Sequence, residues 1–117
     1  MADLVACLST GKGTWTEVKK LIHNQDWENI YLVTNDFGKD KFTADKELKF
    51  ILVDVNSGMD SMKKIIMDAL QEKVKTEVAV NFISGSGKEH MALLSALFKL
   101  GVGIRFIIPT DSDVKEL

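Results

Sequence analysis

A chain of 117 residues with a formal net charge of -2 is the size of one domain, large enough for a three-layer core but without room for a second module. Its 17 acidic residues outnumber its 15 Lys and Arg, so no basic field draws it to duplex nucleic acid or to an anionic membrane. No apolar run approaches the roughly 20 residues that span a bilayer, and the chain reaches Asp3 without the basic flank of a secretory signal, so a cytoplasmic protein is expected.

In chain order, residues 4–8 form an apolar run that stops at Ser9, Thr10, Gly11, Lys12 and Gly13, which predicts a first strand and its exit loop. Cys7 lies inside that run and has no partner for an internal disulfide, which fits a reducing compartment. One cysteine and two scattered histidines also argue against a structural zinc site. Thr14-x-x-Glu17 reads as a capping box; Trp15, Val18, Leu21 and Ile22 then recur at helical spacing, while Glu17, Lys19 and Lys20 face away. Residues 30–33 predict a second strand ending at Thr34, Asn35 and Asp36, and the polar stretch 38–47 a loop with one helical turn. Residues 48–55 are almost entirely apolar, which suits a parallel strand covered on both faces. After Asn56, Ser57 and Gly58, a helix carries Met59, Met62, Ile65, Ile66, Ala69, Leu70 and Val74 on one side, with Lys63, Lys64, Glu72 and Lys73 mostly opposite.

The last third reads as strand, tight loop, helix, strand: residues 77–83, then Ser84, Gly85, Ser86, Gly87 and Lys88, an apolar helix to position 100, and a second apolar run over 102–108. A polar tail, 109–117, follows. A βαβ unit makes a right-handed crossover, which places both strands parallel and the loop at the carboxyl edge of the sheet. Two readings of that loop stand side by side. Ser86 and Glu89 match the Ser-x-x-Glu capping box, and the same free N–H groups and positive dipole end favour an anion. The helix, with Met91, Leu94, Leu97 and Phe98 on one side and Ala92, Leu93, Ala96 and Leu100 on much of the rest, is too apolar for one sheet face to cover, which predicts a two-fold homodimer.

Strands alternating with helices predict an α/β fold: an open, Rossmann-like three-layer sandwich around a five-stranded, mainly parallel sheet of order 3-2-1-4-5. In that order the exits of the first and fourth strands diverge at the switch point, where open sheets bind ligands. The familiar phosphate motifs are absent. A Walker loop requires glycine at 82 and Ser or Thr at 89, where Phe82 and Glu89 stand, and Thr16 replaces the third glycine of a dinucleotide fingerprint that begins at Gly11. No Gly-x-Ser-x-Gly elbow is present, and His90, one turn into an apolar helix, reads as a packed residue before a catalytic base.

The segment Val78-Ala-Val-Asn81-Phe-Ile-Ser84-Gly85-Ser86-Gly87-Lys88-Glu89-His-Met91-Ala92 resembles the Asn-x-(Ser/Thr)-Gly-Gly-(Thr/Ser)-Lys signature of CARF domains, the CRISPR-associated Rossmann-like sensors. The loop here reads Gly-Ser-Gly-Lys where the family more often has Gly-Thr-Lys. The Ser/Thr/Gly exit of the first strand and the Ile-Tyr-Leu-Val of the second are also similar to the family. The resemblance implies a homodimer whose two-fold cleft receives a cyclic oligoadenylate or another anionic nucleotide. The ligand contacts it implies are Ser9, Thr10, Gly11 and Lys12 from the first loop and Ser84, Gly85, Ser86, Gly87 and Lys88 from the fourth. No cofactor or metal is implied; some members of the family cut the ring by its own 2′-hydroxyl. The alternative, from a different class, is a small oligomerisation or protein-interaction module without a nucleotide ligand.

Overall fold

Strands β1 (Leu4–Cys7) and β2 (Ile30–Thr34) are buried at every position, and β4 (Glu77–Asn81) at every position after Glu77. Strands with no solvent face belong in the middle of a sheet covered on both sides. The computed structural model describes all residues except Met1, Ser9, Thr10 and Lys75, and for Lys12 the backbone only. It places β1 between β2 and β4 in a sheet of order β3-β2-β1-β4-β5-β6, where β3 is Lys49–Leu52, β5 Gly103–Pro109 and β6 Val114–Glu116. The first five strands are parallel; β6 runs antiparallel to β5.

Successive side chains of a strand point to opposite faces, and β1 divides its residues accordingly. Leu4 and Ala6 pack with Trp15, Val18, Leu21 and Ile22 of α1 (Trp15–Asn24). Val5 and Cys7 face Met62, Ile66 and Leu70 of α3 (Met59–Leu70) and Ala92, Leu93, Ala96 and Leu97 of α4 (Gly87–Leu100). Each such fully buried Leu, Ile or Met contributes about 1.5–3 kcal/mol. A short helix α2 (Asp36–Lys41), capped by the Asn35 side chain on the Gly38 N–H, closes onto the end of β2 so tightly that a Cβ at Gly38 would overlap the Thr34 side chain. Among the described residues no helix is long and apolar enough to cross a membrane.

Several expectations change. Among the described residues the sheet has six strands, in the order 3-2-1-4-5-6, where the sequence predicts five in the order 3-2-1-4-5. The polar tail turns at Thr110, whose hydroxyl accepts from the Asp113 N–H at 3.0 Å, and returns with Ile107 opposite Glu116. Thr14 makes no side-chain cap, because a 3-10 turn at Lys12–Thr14 already puts it in helical conformation (φ -100°, ψ 0°), whereas a capping side chain needs extended backbone. The strand expected over 48–55 is only Lys49–Leu52 and sits at the sheet edge; Ile51 is buried in the core beneath α3 and Phe50 packs half-buried against the core beneath α1, so both faces are covered, one of them only in part. The helical turn in the polar stretch starts earlier, at Asp36, because Asn35 caps it. Ile65, expected on the buried stripe of α3, is exposed, and Val74 is buried beyond that helix's end.

Candidate functional site

β1 and β4 are direct neighbours, with Ala6 opposite Asn81, so both chains leave the sheet at one edge. From there α1 turns to one face and α4 to the other. In open α/β sheets such a divergence marks the edge at which ligands bind.

The loop after β4 is built by its own sequence. Asn81, buried at the strand end, donates from Nδ2 to the Ile107 carbonyl at 2.8 Å and accepts the Ile83 N–H at 3.1 Å, tying the loop to β5. Gly85 has φ +96°, and a Cβ there would stand 2.9 Å from Cys7 Cβ and 3.1 Å from His90 Nε2. Conformation and space both demand glycine. Ser84 is buried, and its carbonyl lies 2.8 Å from His90 Nε2; the imidazole also stacks on Phe82, with centroids 4.6 Å apart and planes 5° from parallel. His90 is thereby a packed wall of the loop.

Ser86 opens α4 through a capping box with Glu89, whose carboxylate accepts the Ser86 N–H at 2.6 Å and the Ser86 hydroxyl. Glu89 is only 8% exposed. Burial pushes the Cys7 thiol well above its ordinary pKa, and the charge of Glu89 adds to the rise. Ser86, Gly87 and Lys88 are exposed, and a Cβ at Gly87 would meet nothing within 4 Å. The Lys88 ammonium reaches the Val55 carbonyl at 3.3 Å.

The expected ligand residues therefore fall into three groups. Gly85, Ser86, Gly87 and Lys88 surround the start of α4, while Ser84 is turned inward beneath them. Gly11 is exposed and the backbone of Lys12 begins the 3-10 turn, so these two continue the exit of the neighbouring strand. Ser9 and Thr10 lie outside the described residues. The end of β2 joins the same edge, since the Thr34 hydroxyl donates to the Leu8 carbonyl at 3.1 Å.

Beside the start of α4 lies a cleft of about 460 Å³ beyond the ends of β2 and β3, lined among others by Asp36, Phe37, Asp54, Asn56 and Glu89. Sequence reasoning missed it, since Asp36 and Asn56 read as turn residues, Glu89 as a capping partner and Asp54 as part of a strand, and only the fold brings them together. Its three carboxylates do not converge on a metal: among the described residues no group of three or more His, Cys, Asp or Glu could hold one. A groove of similar size, about 480 Å³, follows the outer side of α1 and mixes Lys19, Lys20 and His23 with Asp45, so its charge selects no ligand class. No protein-family model matches the chain, and the search of curated proteins finds no match either.

Proposed function

We propose that this chain is a Rossmann-like, cytoplasmic nucleotide sensor that binds a cyclic oligoadenylate as a homodimer in CRISPR-type antiviral defence. The observation that carries this reading is the adjacency of β1 and β4, which brings two Gly- and Lys-containing exit loops to one edge. Phosphate oxygens need N–H donors there, and the first N–H groups of a helix have no intrahelical partner. Glu89 already accepts from Ser86, so the donors left for a ligand are the amides of Gly87 and Lys88, with the Lys88 ammonium beside them. His90 stacks on Phe82 with Nε2 at the Ser84 carbonyl, and burial raises the Cys7 thiol pKa, so this reading assigns neither of them a role as base or nucleophile. Any cleavage of the ring then depends on its own 2′-hydroxyl, positioned by the loops. The homodimer is supported by Met91 and Phe98, 66% and 67% exposed on the outer side of α4.

The test is a thermal-shift series with cyclic tri-, tetra- and hexa-adenylate, followed by product analysis of any hit. A ligand at 100 times its Kd stabilises the fold by about 2.7 kcal/mol. Absence of a shift with all three rings would overturn the reading. A second reading, an interaction module without a nucleotide, has its own supporting observation: the Glu89 carboxylate occupies part of the helix start where an anion would dock. That module would dimerise through α4 and leave every nucleotide unbound.

A further inference from the structure

The cleft beyond β2 and β3 has the wrong charge for a phosphate and the right chemistry for the rest of a nucleotide. Its volume, about 460 Å³, falls in the range of small-ligand sites, roughly 300–1,000 Å³. Its walls present acceptors: the carboxylates of Asp36 and Asp54 and the side chain of Asn56. A phosphate placed among these carboxylates meets like charge, whereas an exocyclic amine, a ring N–H or a sugar hydroxyl finds a partner. The cleft also includes a large aromatic side chain open to solvent, Phe37, 40% exposed although its ring lies 6.1 Å from that of buried Trp15. Base faces stack on such rings. Lys88 stands between the two regions: it belongs to the first turn of α4, and its Nζ is 3.3 Å from the carbonyl of Val55, which lines the cleft.

We propose that this cleft is a nucleoside subsite that takes an amino-bearing base with its sugar, while the phosphates lie on the loop after β4 and Lys88 spans the junction. The carboxylates act as hydrogen-bond acceptors here, and the cavity with its exposed ring carries the assignment. The subsite rests on the nucleotide reading above and extends it to a part of the fold outside both glycine loops.

The experiment separates the two parts of the ligand. Backbone amide shifts of the protein are followed by NMR with adenosine, inorganic phosphate and cyclic tetra-adenylate, and Kd values for the ring are measured for wild type, Phe37→Ala and Asp36→Lys. Adenosine is expected to shift Asn35, Phe37, Val55 and Asn56, whereas phosphate shifts Gly87 and Lys88 instead. Both substitutions are expected to weaken the ring at least tenfold while the fold is kept, with a modest fall in melting temperature, since Phe37 gives up its contact with Trp15 and Asp36 its place at the start of α2. If wild type binds the ring and both variants bind it equally well, the subsite is overturned and the sensor reading stands. If adenosine shifts the cleft but no ring binds, the subsite stands and the sensor reading falls. If neither adenosine nor the ring binds, both are overturned.

Discussion

At the scale of single residues, structural and ligand roles separate within one short loop. Lys88 is exposed, so Lys88→Ala should leave folding unchanged while removing a charge-assisted hydrogen bond of about 1.5–3 kcal/mol, a loss of tenfold or more in nucleotide affinity by calorimetry. Gly85→Ala should do the reverse. Its Cβ would stand 2.9 Å from that of Cys7 at a φ of +96°, so left-handed strain of about 1–2 kcal/mol adds to overpacking of about 1–3 kcal/mol, read as a lower urea midpoint. Cys7→Ala should not rescue it, since the clash is with Cβ. Cys7 itself has a pH signature. Its folded pKa is raised by burial first and Glu89 second, while the unfolded thiol titrates near about 8.5. Above that pH the unfolded chain has lost a proton that the folded chain keeps, so stability is fully present below about pH 8.5 and falls as the pH rises, by up to about 1.4 kcal/mol per pH unit. Tyr31, raised by burial and then by Asp3 and Glu28, acts in the same direction at higher pH. Denaturant midpoints between pH 8 and 10 should therefore fall less steeply in Cys7→Ala than in wild type.

At the scale of elements, legibility follows the length and one-sidedness of the apolar pattern. β1, β2 and β4 are buried runs bounded by turn residues, and α1 has a clean four-residue core stripe, so their types and the β1–β4 adjacency could be read directly. β6 could not, because Val114, Lys115 and Glu116 offer one half-buried apolar side chain; what holds the strand is the turn at Thr110 and the grip of Arg105 on Glu116 at 2.7 Å. Thr14 misled because the capping motif says nothing of the 3-10 turn before it. Of the candidate site, the two loops are visible as local motifs, whereas the cleft joins Asp36, Asp54 and Glu89 only through the parallel order of β1, β2, β3 and β4. A short edge strand with little buried surface opens locally at low cost. Amides of β6 should therefore exchange with solvent orders of magnitude faster than those of β1 and β4 in native-state hydrogen exchange; equal protection would mean that β6 belongs to the same cooperative unit.

At the scale of the whole molecule, the open question is what meets the outer side of α4. Ala92, Leu93, Ala96 and Leu97 are fully committed to the sheet and α3, yet Met91 and Phe98, two turns apart on the opposite side, remain mostly exposed, with half-buried Leu94 and Ser95 between them. These four, with Lys99, enclose a shallow groove of about 390 Å³, a shape into which the same ridge on a second copy can fit. Residues at this spacing lie on one helical stripe, and a two-fold axis through it would set Met91 of one copy near Phe98 of the other. Phe98→Glu should then convert a dimer into a monomer in analytical ultracentrifugation, with the far-UV circular dichroism unchanged because the side chain takes no part in the protomer core. The same variant tells where the nucleotide lies. If each protomer holds its ligand alone, monomeric Phe98→Glu keeps the wild-type Kd; if one ring bridges the two loops after β4 across the axis, affinity falls with dimerisation and returns as protein concentration drives the copies together. A wild-type chain that sediments as a monomer at micromolar concentration removes the dimer from the proposal and leaves only the single-protomer site.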